Sequence, residues 1–553
     1  MLTLLLALVQ DSYAPDPEGF IRNWLVLAPI PCDAENNGAV EIDAQQVKDE
    51  ARIQPKPGDA ARNLTWTAHA TADYFIDFLR SFGQPRGEDV IGYAVAYVHA
   101  DAEMDRIQMR VGSNDQCKAY LNGVQVLRFD EGRSLEKDQN IVGVSLAKGV
   151  NTVILKVINA SNQWQGCVRF TTKDGAPVRN LKVTLAPREA QEVVALGQPV
   201  GTINPVRVAL NPKTDRLLVL YLNGDLWEVD VEAKTKRLYK KADDYMRKDR
   251  APYLQALGLH VDREGRVYVV ANERKQDVKP WIAHVVVYRD AEEFLTFDHP
   301  WGIGPFNHGA CHLAEGPDGL LYLGVGSRTD HGETGKDEHL DKKGETEWTA
   351  AMLRFDPKAP KPEVFCRGLR NPYGFAWDDQ GRLLAGEHGP DAHHPEELNW
   401  LRAGKHYGFP YVFGNGEKPM YPDAAPAPEG LAFEPPIANL GPDARPGDVP
   451  YYSFHPHSAP TGMLFYKDGA LPERYRGSFF LTRFGNFLGK EPVGFEVLNI
   501  RLEEKDGKVA ARCETFYKTS RRPIDLCLRK GRLYALEYDT IDAQRPSRLL
   551  ELR

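Results

Sequence analysis

The chain has 553 residues, of which 42% are apolar, 26% charged and 10% aromatic, and its formal net charge is -8. This length exceeds one ordinary domain, and the apolar and aromatic content excludes a disordered chain. No block of lysine or arginine stands out, so neither nucleic acid nor an anionic membrane surface is an expected partner.

The chain opens on an apolar run over residues 2–9, far shorter than the roughly 20 residues that span a bilayer. With the small-x-small pattern that ends at Ala14, this run predicts a secretory signal over residues 1–14. We therefore expect an exported protein, periplasmic or extracellular. A disordered tail or an incorrectly placed start is the alternative. No other segment is predicted to span a membrane.

Seven cysteines are spread along the chain. None of them falls in a CxxC or CxxCH spacing, which argues against a zinc ribbon and against covalently attached c-type haem. An exported protein could carry a few disulfides, and the sequence does not decide whether this one does.

Residues 15–190 contain short alternating apolar runs bounded by Gly, Asn and Asp, a pattern typical of an antiparallel β-sandwich. Asn122-Gly123 after one such run is a strong hairpin signal. The segments GSNDQCKAYLNG and LAKGVNTVILKVIN resemble the jelly-roll accessory modules found beside sugar-active enzymes. This resemblance implies a carbohydrate-binding-like domain. Trp24, Tyr120 and Trp164 could form a sugar-stacking face, but packing in the core is the favoured interpretation.

From about residue 195 a motif recurs, in which a turn with glycine or a charged residue precedes a strand of large apolar residues. Six copies lie 49 to 62 residues apart, with one gap of 96 residues, and begin at positions 216, 265, 319, 381, 477 and 531. One such unit cannot bury its own faces, so the units must close into a ring. The pattern predicts an all-β chain in which residues 195–553 form a six-bladed β-propeller. An open β-solenoid is disfavoured because the repeats are long and uneven.

Function in a propeller gathers on the loops around its axis, and three loop segments here are rich in polar and special-backbone residues. His308 lies beside a glycine, and an unperturbed histidine pKa near 6.5 suits a general base. Arg370 offers a planar donor fork and Asn371 an amide donor. Gly389 and Pro390 can turn backbone carbonyls outward, and oxygen ligands are what Ca²⁺ prefers.

A third segment carries Lys467 and Arg483, cations that could face an anionic cofactor. Taken one at a time, a structural role is the commoner interpretation for all these residues. Their combination and order support a functional site.

Three longer strings carry a family resemblance: HGACHLAEGPDGLLYLGVGS, GLRNPYGFAWDDQGRLLAGEHGPD and FYKDGALPERYRGSFFLTRFGN. They resemble the soluble glucose and sorbosone dehydrogenases that use pyrroloquinoline quinone (PQQ). The similarity spans about residues 195–553 and implies a six-bladed propeller with PQQ across its mouth. His308 would match the catalytic base. Arg370 and Asn371 would match the residues that bind the quinone and polarise its carbonyl.

The resemblance also assigns metal ligands. Gly389 and Pro390 would match the backbone ligands of the cofactor's Ca²⁺. Glu397 and Tyr407 fall where the family often has a second, structural calcium.

Further cofactor contacts follow from the same resemblance, with some departures. Lys467 fits a cofactor-binding lysine, and Arg483 is the nearest match to a pair of arginines in the last blades. His388 stands where the glucose enzymes have glutamine, and Asn307 stands where they have aspartate before the base. Gln255 lies one position from the glutamine that the family places over the cofactor.

These observations predict a PQQ-dependent oxidation of a sugar or a related aldehyde or alcohol. His308 would remove a proton, while Ca²⁺ and Arg370 would stabilise charge on the quinone oxygens. Electrons would leave to an external acceptor because no haem motif is present. A non-catalytic propeller that binds glycans or proteins is the main alternative. A calcium-dependent lactonase is disfavoured, because the expected ligands are backbone carbonyls rather than acidic side chains.

Overall fold

The computed structural model divides the chain into two compact units, Met1–Glu189 and Ala190–Arg553. The predicted signal run at residues 2–9 lies outside the described residues. The structure describes residues 12–32, 40–81, 87–187, 190–197, 204–246, 254–275, 277–302, 308–333, 344–390, 394–414, 426–441, 444, 453–486, 493–505, 508–519, 521–538 and 546–552.

The first unit is built almost wholly from strands. It also holds one short helix, α1 (Phe78–Ser81), and a 3₁₀ turn, Glu50–Arg52. Its strands are β1 (Asn23–Pro31), β2 (Ala60–Ala61), β3 (Leu64–Thr65), β4 (Thr67–Ala70), β5 (Ile76–Asp77), β6 (Val90–Ala100), β7 (Met104–Ser113), β8 (Cys117–Leu121), β9 (Val124–Phe129), β10 (Asn140–Leu146), β11 (Gly149–Asn159), β12 (Gln165–Thr171) and β13 (Lys182–Thr184).

Two sheets of this unit pack face to face. One has the strand order β4-β1-β6-β11-β8-β9 with β13 paired to β6, and the other has the order β10-β7-β12-β5. Alternate residues of the central strands, such as Ala94 and Val153 from the first sheet and Met109 and Val168 from the second, share one buried core. This arrangement is an antiparallel sandwich.

The three aromatic residues considered for a sugar-stacking face are buried. Trp24 and Trp164 have no exposed surface and Tyr120 is 4% exposed. Trp24 Nε1 donates to the Ile21 carbonyl at 3.0 Å, and the Trp164 ring stacks on Phe78 with 4.9 Å between centroids. These rings form the core, as favoured from the sequence, and offer no surface to a glycan.

The described residues of the second unit form six sheets. Its strands are β14 (Ala190–Gly197), β15 (Pro205–Asn211), β16 (Arg216–Tyr221), β17 (Leu226–Asp230), β18 (Thr235–Lys240), β19 (Leu254–Val261), β20 (Val267–Lys275), β21 (Ile282–Arg289), β22 (Glu292–Pro300), β23 (Ala310–Glu315), β24 (Leu321–Val325), β25 (Ala351–Asp356), β26 (Ala359–Arg367), β27 (Gly374–Trp377), β28 (Leu383–Glu387), β29 (Glu397–Leu401), β30 (Ala438–Asn439), β31 (Pro460–Tyr466), β32 (Ser478–Arg483), β33 (Glu496–Lys505), β34 (Lys508–Lys518), β35 (Arg522–Arg529), β36 (Arg532–Tyr538) and β37 (Ser547–Leu552), with 3₁₀ turns Ala242–Asp244 and Glu473–Tyr475.

Each sheet is one blade, and blades 1 to 6 are numbered by their inner strands β15, β19, β23, β27, β31 and β35. Each inner strand contacts the next, and β35 contacts β15, so the ring is closed. Blade 6 has the order β14-β37-β36-β35 and therefore joins the first strand of the unit to its last. Closure confirms the predicted six-bladed propeller and excludes the open solenoid.

The six sequence repeats coincide with one strand of each blade. Copies at 216, 265, 319, 381, 477 and 531 contain or directly precede β16, β20, β24, β28, β32 and β36, the second strand from the axis. Their large apolar residues are buried because this strand has neighbours on both edges and both faces.

Arg207 ties the inner strands together at the axis. Its Nε donates to the Leu257 carbonyl of blade 2 at 2.9 Å, and its Nη2 donates to the Tyr373 carbonyl ahead of β27. Nη1 lies 3.4 Å from Asp525 of blade 6. The arginine is 1% exposed, and its charge is balanced by a carboxylate that also accepts the Val208 amide.

Gly374 allows β27 and β31 to pack closely. A Cβ at this position would overlap the main-chain carbonyl oxygen of Thr461. Gly374→Ala should therefore lower the free energy of unfolding by about 1–3 kcal/mol, measured by urea denaturation. Gly143→Ala is the control, since a Cβ there meets no atom within 4 Å. Equal stability of the two variants would contradict this packing.

No disulfide joins the seven cysteines, all of which lie within the described residues. Six of them are buried, and burial raises the pKa of the Cys311 thiol to about 11. None of the helices in the described ranges has the length and apolar character needed to cross a bilayer.

Candidate active site

Several of the predicted site residues, among them His308, Arg370 and Asn371, lie where the inner strands begin. In blade 3, β23 starts at Ala310 opposite the end of β24 at Val325, and in blade 5 Pro460 pairs with Arg483. Because the second strand of each blade is antiparallel to the first, its end meets the start of the inner strand. We call this side of the ring the upper edge.

His308 stands at the upper edge of blade 3. Its Nδ1 lies 3.1 Å from Ser327 Oγ and 3.2 Å from the Ser327 carbonyl oxygen. The segment is tight, since a Cβ on Gly326 would overlap the His308 Cβ. Burial, and then the nearby positive charge of Arg370, hold the pKa of His308 well below its usual 6.5. The ring is therefore neutral at pH 7.

Arg370 links blade 3 to blade 4. Its carbonyl accepts the Ser327 amide at 2.6 Å, and its own amide donates to Glu387. The guanidinium is buried and pairs with Asp330, donating to both the carboxylate and the backbone carbonyl of that residue. The charge of Arg370 is thus balanced inside the protein by Asp330.

Asn371 and His388 form a chain of hydrogen bonds that ends at Pro460 of blade 5. His388 Nε2 lies 2.6 Å from the Pro460 carbonyl, which only accepts, so Nε2 carries the proton. His388 Nδ1 then accepts from Asn371 Nδ2 at 3.1 Å. Burial lowers the pKa of His388 to about 4, so its ring is neutral. The Asn371 Oδ1 is buried and has no hydrogen-bond partner among the described residues.

Two buried carboxylates, Glu387 and Glu397, line the same small cavity as His388. Asn399 Nδ2 donates to Glu387 at 3.2 Å and to Glu397 at 3.0 Å, and the Gly414 amide donates to Glu397 at 2.6 Å. Burial raises the pKa of Glu397 to about 7. Burial and then repulsion by Glu397 raise the pKa of Glu387. Burial thus disfavours the ionised form of both carboxyls, and a bound cation would favour it.

Gly389 is held beside these carboxylates. Its amide donates to Glu396 at 2.9 Å, and burial raises the pKa of Glu396 to about 7. A cavity of about 10 Å³, room for one water-sized occupant, adjoins the glycine. Its lining is Arg370, Glu387, His388, Gly389, Glu397, Phe409, Val412 and Phe413.

The sequence model of the glucose/sorbosone dehydrogenases matches residues 203–486, a range that holds every predicted site residue. The chain belongs to the glucose/sorbosone dehydrogenase family.

Curated relatives match part of the chain. A Borreliella burgdorferi protein is 25% identical over 268 residues, which are 47% of this chain and 62% of that protein. A Synechocystis protein is 34% identical over 130 residues, 23% of this chain and 27% of that protein. The chain thus spans less than two thirds of the length of either relative.

Solved structures of sugar dehydrogenases are also similar to the chain. The PQQ-bound aldose sugar dehydrogenase of Streptomyces coelicolor is 19% identical with a TM-score of 0.43, covering 66% of this chain and 98% of that one. The apo form of the soluble aldose sugar dehydrogenase of Escherichia coli is 16% identical with a TM-score of 0.43, covering 66% and 99%.

Within the family's propeller, the structure brings together His308, Arg370, Asn371, His388 and Gly389 at the upper edge through the contacts above. Their roles toward cofactor and metal stay predictions. For His388, both ring nitrogens are engaged within the protein, so the side chain acts as a support for Asn371. Asn307, predicted to orient the base, lies outside the described residues.

Lys467 requires a correction. It follows the end of β31, whose first residue Pro460 lies at the upper edge. A strand of seven residues is roughly 20 Å long, and Lys467 is exposed at its far end. The structure does not bring this lysine to the site.

The side chains of Tyr407 and Arg483 bind other groups of the protein. The Tyr407 hydroxyl donates to the Trp400 carbonyl and accepts the Arg402 amide, both at 2.7 Å, and its role at a metal stays a prediction. Arg483 reaches the upper edge but forms a buried ion pair with Glu496.

Arg522 lies at the upper edge and was not singled out from the sequence. It begins β35 at the upper edge of blade 6 and is 1% exposed. Its guanidinium donates to the Gly485 and Asn486 carbonyls and lies 5.0 Å from the centroid of the Phe484 ring. The sequence feature that could have indicated it is the basic pair Arg521 and Arg522 at the start of the inner strand of blade 6.

The donor set fits the cofactor and metal that the family implies. PQQ is an anionic quinone, and the buried Arg370 and Arg522 lie at the upper edge together with Asn371, whose Oδ1 has no hydrogen-bond partner among the described residues. Ca²⁺ takes oxygen ligands, and Gly389 lines the same small cavity as the Glu387 and Glu397 carboxylates.

Proposed function

We propose that this chain is a PQQ-dependent dehydrogenase of a sugar or of a related aldehyde or alcohol. The observation that carries the proposal is the joining of His308 to Arg370 through Ser327 at one edge of the propeller. A neutral imidazole beside a buried arginine suits proton removal from a substrate hydroxyl. Family membership supports the same reaction class.

His308 takes the proton of the substrate hydroxyl, or of a hydroxyl of the hydrated aldehyde. Hydride leaves the carbon that bears this hydroxyl. Bound PQQ would supply the two-electron oxidant that accepts this hydride. Arg370, Arg522 and Asn371 would hold the anionic cofactor. The carbonyls of Gly389 and Pro390 would hold Ca²⁺. An external acceptor then reoxidises the enzyme.

The test adds PQQ and CaCl₂ to the purified chain and follows reduction of a dye acceptor with a panel of aldoses. We expect sugar-dependent dye reduction that EDTA abolishes and CaCl₂ restores. No dye reduction and no change in the PQQ spectrum would overturn the proposal. Sugar binding without dye reduction would identify a binding propeller, and lactone hydrolysis without an acceptor would identify a lactonase.

The pH dependence of kcat/KM follows from the lowered pKa of His308. The base must be unprotonated, and burial with the Arg370 charge opposes protonation. Activity should therefore stay constant as pH falls to about 6, where a histidine of ordinary pKa would already be mostly protonated. A fall to half activity near pH 6.5 would contradict this environment.

The first unit and the export signal belong to the same proposal. We place the enzyme outside the cytoplasm, where the acceptor would be a separate protein or small molecule. The sandwich would serve as an accessory module for glycans, with contacts on surfaces other than its buried tryptophans.

A further inference from the structure

Ser327 contacts His308 through two oxygen atoms. The ring Nδ1 lies 3.2 Å from the Ser327 carbonyl oxygen and 3.1 Å from Oγ. A carbonyl oxygen can only accept a hydrogen bond, so the first contact needs a proton on Nδ1.

The second contact makes the same demand. The Ser327 hydroxyl donates its one proton to the Thr329 carbonyl at 2.6 Å, so Oγ can offer only a lone pair to the imidazole. Two acceptors therefore face Nδ1. Since a neutral imidazole has one ring proton, that proton lies on Nδ1 and Nε2 holds the basic lone pair.

We infer that Ser327 is a positioning residue that fixes His308 as the Nδ1–H tautomer and leaves Nε2 as the base. The catalytic consequence rests on the proposed function, whereas the tautomer itself does not. The serine acts through the histidine and needs no contact with substrate.

The surroundings keep Ser327 in place. The residue has no exposed surface, and its amide donates to the Arg370 carbonyl at 2.6 Å. Thr329, whose carbonyl accepts the hydrogen bond from the Ser327 hydroxyl, donates its own backbone amide to the Glu345 carboxylate at 3.1 Å. These contacts hold the Ser327 hydroxyl in one orientation, in which its oxygen presents a lone pair to Nδ1 of the imidazole.

The partner of Nδ1 is a neutral group. The charged and titratable groups that act on His308 are Arg370, His388 and Asp330. A carboxylate in place of the Ser327 hydroxyl would favour the imidazolium form. Ser327→Asp should therefore move the acidic limb of kcat/KM to higher pH, which loss of packing alone would not do.

The direct test is ¹⁵N NMR of the histidine-labelled apoprotein, with His308 assigned by the signal that His308→Gln removes. We expect a protonated Nδ1 and an unprotonated Nε2 in the parent and in Ser327→Thr. Ser327→Ala keeps the carbonyl contact at 3.2 Å and loses only the hydroxyl contact, so the fraction of the Nδ1–H tautomer should fall below that of the parent and a mixture should appear. A protonated Nε2 in the parent, or a pure Nδ1–H ring in Ser327→Ala, would overturn the inference.

Kinetics give the second readout. Ser327→Ala should lower kcat about tenfold with little change in KM, the effect of one ordinary hydrogen bond, and Ser327→Thr should restore it. Ser478→Ala is the matched control, because this buried serine also donates to a carbonyl and accepts from a side-chain nitrogen, at the opposite edge. An Nδ1–H ring in a chain without dehydrogenase activity would refute the proposed function alone. An active enzyme with a protonated Nε2 would refute the role of Ser327 alone.

Discussion

Replacing His308 by glutamine should lower kcat by about 10²- to 10⁴-fold, the contribution of a positioned general base. Glutamine can still donate to the Ser327 oxygens, so the loop should keep its conformation. Its amide has no basic nitrogen, and proton removal then falls to water. The measurement is dye reduction with saturating PQQ, CaCl₂ and aldose.

Cofactor binding separates loss of the base from loss of the site. PQQ titration should give the same affinity for His308→Gln as for the parent. His312→Gln is the matched control, since this histidine lies on β23, the inner strand that directly follows His308, and packs on Phe375 at 4.7 Å. We expect it to keep activity. Retention of more than about a tenth of the turnover by His308→Gln would exclude His308 as the base.

Replacing Arg207 by methionine should lower the free energy of unfolding by about 3–5 kcal/mol, because Asp525 would be left as a buried, unpaired charge. Methionine fills similar space but cannot donate to the carbonyls of Leu257 and Tyr373. Urea denaturation followed by tryptophan fluorescence measures the loss.

Two further variants test the cause. Adding Asp525→Asn to Arg207→Met removes the unpaired charge while an amide oxygen can still accept the Val208 amide, so part of the stability should return. Arg476→Met breaks an exposed pair with Glu473 and should cost less than about 1 kcal/mol. Equal losses for Arg207→Met and Arg476→Met would show that the axial arginine contributes no more than a surface contact.

The propeller could be predicted because its second strands repeat. Strands such as β16 and β20 lie between two neighbours, so every turn of the ring needs the same large apolar residues after the same kind of turn. The start of blade 6 could not be read in this way. Strand β14, at the start of the second unit, pairs with β37 at its end. No local sequence pattern encodes a partner so distant along the chain.

The site was predictable where a polar residue directly precedes an inner strand, as His308 and Arg370 do. All such loops lie at one edge once the ring closes. Lys467 was misplaced because the YKDG string follows a strand, and an apolar strand pattern does not reveal which end faces the site. Ser327 was missed because its role depends on hydrogen-bond geometry, which composition does not carry.

The pairing of β14 with β37 sets the order in which the second unit can be completed during synthesis. Gly197 pairs with Ser547, so β14 leaves the ribosome on the order of tens of seconds before its partner exists. Through that interval β14 has an open strand edge, which is the kind of surface that recruits other chains. Slow translation or crowding of nascent chains should therefore favour misassembly of this unit, and a chaperone that covers β14 would protect it.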